Sequence, residues 1–148
     1  TGPLVLPASE LLKILFFYVA KKVLRWRKIR PYIPNFCVAF EHFCIHVGGP
    51  AVITSVQHGL NLSDRHVEPS KMTLHRFGNQ STSSVWYELS YIEAKGWMKK
   101  GNRVWMIGFG AGYECNTASW VCIQPSSCAD GPWVDCINCY PVDISRKG

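Results

Sequence analysis

An apolar run from Phe36 to Ile45 closes on His46 and is followed at once by Gly48, Gly49 and Pro50, and this junction constrains the chain more than any other feature. A run so rich in aromatic and apolar side chains suits a buried strand, with Glu41 and His42 marking a break within it. Two glycines permit a tight turn, and proline, with its fixed φ, suits the first turn of a helix. Val52, Ile53, Val56 and Leu60 then share one helical face. The chain is therefore expected to pass from a buried strand straight into a packed helix, with His46 at the strand's end.

Upstream, Ser9 as N-cap and Glu10 in the first turn predict a helix from about Glu10 to Lys28, stopped before a linker from Pro31 to Pro34. Its apolar stretch, Leu11 to Ala20, is about half of the roughly 20 residues that cross a bilayer, so it does not span one. Lys21, Lys22, Arg25, Arg27, Lys28 and Arg30 follow, six of the sixteen basic residues in a chain of net charge +6. Two readings stay open: a helix lying on an anionic membrane surface, or a core helix whose last turn carries cations that suit its dipole. A nucleic-acid-binding module built on the same cations is a remote third, because the aromatic residues are not spaced as a stacking platform.

Downstream, a helix is predicted from about Pro69 to Phe77, closed by Gly78. Another follows the cap candidates Ser81 to Ser84, carries Val85, Leu89 and Ile92 at helical spacing, and fades near Gly96 to Gly101. Strands from Arg103 to Gly108 and from Ala118 to Ile123 are joined by the glycine-rich segment Phe109 to Thr117, and the tail from Gln124 is irregular. With 47% hydrophobic and 18% charged residues in 148, this is one folded domain without an internal repeat. Seven cysteines, an odd count with several inside apolar runs, read as buried free thiols in a reducing compartment. Cys136 and Cys139 form a lone C-x-x-C without a second pair or an H-x-x-x-H, so neither a zinc site nor a cofactor is expected.

His46 at a strand end and Asn79 between a glycine helix stop and a helix N-terminus occupy places where an active site can be built. Each alone reads equally as a structural histidine or a turn asparagine. Their separation, with two helices between them, suits two loops returning to one edge of a sheet. His42 and His75 read as packing or hydrogen-bonding residues, and His58 and His66 as surface residues.

Several long strings carry a resemblance. Phe40-Glu41-His42-Phe43-Cys44-Ile45-His46-Val47-Gly48-Gly49, Met72-Thr73-Leu74-His75-Arg76-Phe77-Gly78-Asn79, and Trp86-Tyr87-Glu88-Leu89-Ser90-Tyr91-Ile92-Glu93-Ala94-Lys95-Gly96 resemble plant 3-ketoacyl-CoA synthases. So do Lys99-Lys100-Gly101-Asn102-Arg103-Val104-Trp105 and Trp133-Val134-Asp135-Cys136. These acyltransferases catalyse the condensing step of very-long-chain fatty acid elongation and belong to the thiolase-like superfamily. The resemblance implies an α/β, thiolase-like C-terminal half across residues 1–148, a mixed sheet with packed helices that pairs with a homologous N-terminal half. It also implies a homodimer, acyl-CoA and malonyl-CoA as substrates, other elongase-complex enzymes as partners, and the cytosolic face of the endoplasmic reticulum membrane as location.

Members of the family use a Cys-His-Asn constellation, and His46 and Asn79 match its histidine and asparagine. The family's cysteine lies in the N-terminal half at the start of a buried helix, a context that none of the seven cysteines here shares. Together with a start at Thr1-Gly2-Pro3 without a signal or transit pattern, this reads as a chain whose other half carries the nucleophile. The implied chemistry loads an acyl group onto that cysteine and attacks it with the enolate left when malonyl-CoA loses carbon dioxide. His46 and Asn79 would donate to the enolate oxygen, His46 would also help hold the thiolate, and a helix starting near Ser81 would add its positive end. Gly108, Phe109, Gly110 and Gly112 resemble the glycine-rich loop that lines the family's substrate cavity. That loop's form leans towards the type III polyketide synthases, an alternative on the same fold that the tail Trp133 to Ile144 and the basic helix argue against.

Overall fold

The computed structural model describes residues 6–23, 32–110, 114–126 and 130–144. Helix α1 (Ala8–Val23) leads to a 3-10 turn (Phe36–Val38) and strand β1 (His42–Ile45). Helices α2 (Pro50–Gly59), α3 (Asp64–Phe77) and α4 (Ser84–Ala94) follow, then strands β2 (Arg103–Phe109) and β3 (Cys115–Val121) and a 3-10 turn at Ile137–Cys139. The sheet is mixed, in the order β1-β2-β3: β1 runs parallel to β2 with His42 opposite Val104, and β2 is antiparallel to β3. This is the expected α/β arrangement.

β1 is buried on both faces, which explains its unbroken apolar sequence. Phe43, Ile45 and Val47 join Ile53 of α2 and Val67 of α3 in one cluster, against which Leu11 and Ile14 of α1 also pack. Cys44 points the other way, into a cluster with Val85 and Ile92 of α4 and Val104 and Met106 of β2. The predicted break at Glu41 and His42 is where the strand begins; Phe36 to Val38 form a 3-10 turn, whose N-cap Asn35 accepts from the Cys37 N–H at 3.0 Å.

Further element boundaries depart from expectation. α1 starts at Ala8, because the N–H groups of Glu10 and Leu11 already donate to the Pro7 carbonyl, so Ser9 lies inside the helix instead of capping it. Glu10 is buried and anchors the next segment: it accepts from Lys13, from the Tyr32 hydroxyl at 2.6 Å and from the Asn35 N–H at 3.1 Å. The part of the predicted helix beyond Val23 lies outside the described residues. α3 begins at Asp64 rather than near Pro69, because the Ser63 N–H and hydroxyl both reach Nδ1 of His66 at 3.3 and 3.1 Å; Pro69 is carried inside the helix. β3 begins at Cys115 and is exposed along nearly its whole length, so the glycine-rich connection is shorter than predicted.

The thiols also differ from expectation. Among the six described cysteines, all of them free, Cys44 alone is fully buried, and Cys115 and Cys139 are exposed. The tail is irregular but not loose. Trp133 is completely buried, donates from Nε1 to the Tyr87 carbonyl at 2.8 Å, and meets Phe77, Tyr91 and Tyr140 edge-on. Arg76 of α3 lies over the same ring and pairs with Asp135. Trp133→Ala is expected to destabilise the protein by about 3–5 kcal/mol, read as a lowered urea midpoint, because it removes the centre of the only cluster joining the described tail to α3 and α4.

Candidate active site

The backbone N–H of His46 donates to the Ile107 carbonyl at 2.8 Å, so the histidine continues the parallel ladder one residue past β1. The residue is only 9% exposed. Phe109, the last residue of β2, stands edge-on to the imidazole with ring centroids 6.0 Å apart. Gly48 lies against the same ring: a Cβ there would stand 3.2 Å from Cδ2 and 3.3 Å from Nε2. Burial lowers the pKa of His46 below the ordinary 6.5, so the ring is neutral at pH 7, with one N–H to donate.

Asn79 arrives from the other direction. Gly78, at φ 71°, ends α3 in a conformation that favours glycine. The Asn79 side chain then takes the Ser81 N–H on Oδ1 at 2.8 Å and donates from Nδ2 to the Gly48 carbonyl at 3.1 Å. These two bonds fix which way the amide faces, and Gly48 occupies one of its two N–H groups. An antiparallel bridge between Val47 and Ser81 joins the two loops. The two predicted residues therefore converge on one glycine, the imidazole against its Cα region and the carboxamide on its carbonyl.

Of the predicted glycine-rich loop, Gly108 is buried inside β2, where a Cβ would meet Thr82 Cγ2 at 3.1 Å, and Phe109 packs on His46. Gly110 is exposed, its N–H bonded to the Glu114 carbonyl at 2.8 Å in the hairpin turn, and Gly112 lies outside the described residues. The loop thus contributes through its first two residues. The helix expected to start near Ser81 starts at Ser84, three residues further along. Ser83 stands at its N-cap position without a side-chain cap, its hydroxyl donating back to the Gln80 carbonyl at 2.5 Å.

The sequence reading missed two residues that frame His46. Ser84 Oγ accepts the Val47 N–H at 3.0 Å, and the wholly buried Glu88 accepts the Ile45 N–H on Oε2 at 2.8 Å. The signal was present for Glu88, since it shares a helical face with Val85 and Ile92 and so points inward. Burial raises its pKa well above the ordinary 4.5, against the opposing effect of hydrogen bonds from Ser70 and Ile45.

Three of the other four histidines make structural contacts. His66 is half-buried rather than on the surface; its Nδ1 takes the Ser63 donors, which leaves the proton on Nε2. His42 pairs with Asn102 at 3.2 Å, His75 lies 3.3 Å from the Tyr140 hydroxyl, and His58 is exposed. A cavity of about 370 Å³, lined by Cys37, His42, Arg65, His66, Trp97 and other residues, opens at the start of β1, the opposite end from His46. No group of three or more described residues is placed to hold a metal ion.

A mixed sheet with helices packed on it, with the end of β1 and the residue after α3 meeting at Gly48, is the α/β arrangement of a thiolase-like C-terminal region. The chain belongs to the family described as 3-oxoacyl-(acyl-carrier-protein) synthase III, C terminal, whose match covers residues 39–122. It is similar to 3-ketoacyl-CoA synthase 6 of Arabidopsis thaliana, at 59% identity over 97% of this chain and 29% of that protein. Its identity to 3-ketoacyl-CoA synthase 17 of the same plant is 57%, over 97% of this chain and 30% of that protein. For 3-ketoacyl-CoA synthase 9 the identity is 59%, over 97% and 28%. The chain thus spans less than a third of the length of these relatives.

The geometry makes His46 sensitive to its glycine neighbour. By NMR its ring is expected to titrate below 6.5, and Gly48→Ala to shift that titration, since the added methyl must displace the imidazole or Val52. A His46 titration at the ordinary value, unmoved by the substitution, would contradict the burial described here.

Proposed function

We propose that the protein to which this chain belongs is a 3-ketoacyl-CoA synthase, condensing a long-chain acyl group with malonyl-CoA in very-long-chain fatty acid elongation. The observation that carries the reading is the meeting of His46 and Asn79 on Gly48, within a chain belonging to a condensing-enzyme family. A cysteine thiolate in the N-terminal half takes the acyl group from acyl-CoA and releases CoA. Malonyl-CoA then loses carbon dioxide, and the electron pair of the broken C–C bond becomes an enolate whose negative oxygen accepts from the His46 N–H and the Asn79 amide. The enolate carbon attacks the acyl thioester, giving 3-ketoacyl-CoA and returning the thiolate. Preorganised donors of this kind are each worth about 3–4 kcal/mol at a transition state.

The same reading gives the protein a homodimeric assembly, other elongation enzymes as partners and the cytosolic face of the endoplasmic reticulum membrane as location. It is supported by the exposed β3, with Trp120 and Val121 uncovered, which suits a face that pairs with the rest of the protein. The relatives named above give the type III polyketide synthase alternative no support. No helix among the described residues is long and apolar enough to cross a membrane. α1 combines the two roles weighed for it. Leu11 and Ile14 face the core, while Leu12, Leu15, Phe16 and Val19 lie exposed ahead of Lys21 and Lys22, a face suited to an anionic lipid surface.

In the full-length protein, Asn79→Ala is expected to leave acyl loading intact and to lower malonyl-CoA decarboxylation and condensation by about 10² to 10³. His46→Ala is expected to impair both steps, because only the histidine can serve the thiolate as well as the oxyanion. Single-turnover labelling by radiolabelled acyl-CoA, beside release of carbon dioxide, separates the two. Normal condensation by folded Asn79→Ala would reduce the asparagine to a turn residue. A protein comprising residues 1–148 is expected to float with anionic but not neutral vesicles, and Lys21→Glu with Lys22→Glu to abolish this; flotation indifferent to charge would leave α1 a core helix.

A further inference from the structure

Successive N–H groups of a strand point to opposite edges, so while His46 donates to β2, the N–H groups of Ile45 and Val47 face away from it. Both find acceptors on a single face of α4: Glu88 takes Ile45 at 2.8 Å, and Ser84, one turn earlier, takes Val47 at 3.0 Å. The same Glu88 oxygen also accepts the hydroxyl of Ser70, a buried residue of α3, the helix whose end delivers Asn79. The carboxyl is thus a junction of β1, α3 and α4, placed on the N–H of Ile45, the residue before His46.

We propose that Glu88, assisted by Ser84, is a positioning residue for the condensation, holding His46 in register with Asn79 by fixing the backbone on both sides of the histidine. The inference rests on the role proposed for His46. Glu88 does not touch the reacting atoms; it acts through the strand. A residue of the same shape that keeps the acceptor oxygen therefore suffices, and a negative charge is not required. Burial favours the uncharged acid, in agreement with that requirement. Loss of the junction frees the end of β1 to shift, and a misplacement of about 1 Å at a donor costs on the order of 10²-fold in rate.

The test uses the full-length protein. Glu88→Ala is expected to lower condensation by about 10²-fold with KM for malonyl-CoA little changed, and Glu88→Gln to restore it to within a few-fold of the wild type. Met72→Ala serves as the control, since it opens a cavity in the tryptophan cluster without touching β1, and at matched thermal midpoint it should stay within a few-fold of wild type. Should Glu88→Ala fail to fold, Ser84→Ala, which removes one oxygen, is expected to lose condensation by about 10-fold with an unchanged fold. Activity of Glu88→Ala no lower than that of matched Met72→Ala, or undiminished activity of Ser84→Ala, would overturn the inference. His46→Ala separates the two levels. If that variant still condenses, the role of His46 fails and this inference with it; if it is inactive while the Glu88 and Ser84 variants behave as controls, the positioning inference alone fails.

Discussion

β1 is paired with one strand only among the described residues, and the N–H groups of Ile45 and, just past the strand, of Val47 are satisfied by side chains from α4. A buried amide without an acceptor costs about 1–3 kcal/mol, so the strand's outer edge cannot be left bare beside a hydrophobic helix. Glu88 and Ser84 meet that demand at the two residues flanking His46, and Ser70 ties the arrangement to α3. The remaining contacts follow: Cys44 and Ile92 close one face of the strand, Ile53 and Val67 the other. Burial raises the pKa of this acid well above 4.5 and so favours its protonated form. That has a consequence for stability, since the unfolded chain releases this proton above about pH 4.5 while the folded chain retains it. The contribution is complete below that value and declines as pH rises towards the folded pKa.

Much of this was legible in the sequence where a residue's local chemistry decided the outcome. The Gly-Gly-Pro turn, the glycine stop before Asn79 and β2 each depend on a few adjacent residues and lie where the pattern indicated, whereas β1 begins only at His42 and β3 already at Cys115. The misread boundaries depend on partners distant in sequence or on side-chain choices that propensity does not encode. α3 starts early because His66 serves as acceptor for Ser63, although a histidine is an uncommon third residue in a capping box. Ser9 reads as a cap only until Pro7 supplies the first helical carbonyl. Asn79 and His46 suggested a site by position, but their shared contact, Gly48, is visible only in three dimensions, because the Asn79 bond crosses 31 residues.

The distribution of exposed apolar surface agrees with a chain spanning less than a third of its relatives' length. β3 is uncovered on both faces, with Trp86 of α4 beside Trp120 at 6.4 Å between ring centroids. α1 adds a second uncovered apolar face. Such surface is uncommon on an isolated soluble domain and suits contact with further protein or with lipid. The tail tryptophan shows the contrast: where the described chain supplies its own partners, even an irregular segment buries a large side chain completely.

The central claim is that His46 and Asn79 serve as paired donors to one oxyanion. It is tested most directly by a crystal structure of the full-length protein with a malonyl thioester analogue that cannot lose carbon dioxide. The account predicts the thioester oxygen within about 2.7–3.1 Å of both an imidazole nitrogen of His46 and Nδ2 of Asn79. A bound analogue whose thioester oxygen meets neither residue, with both still turned onto Gly48, would contradict it.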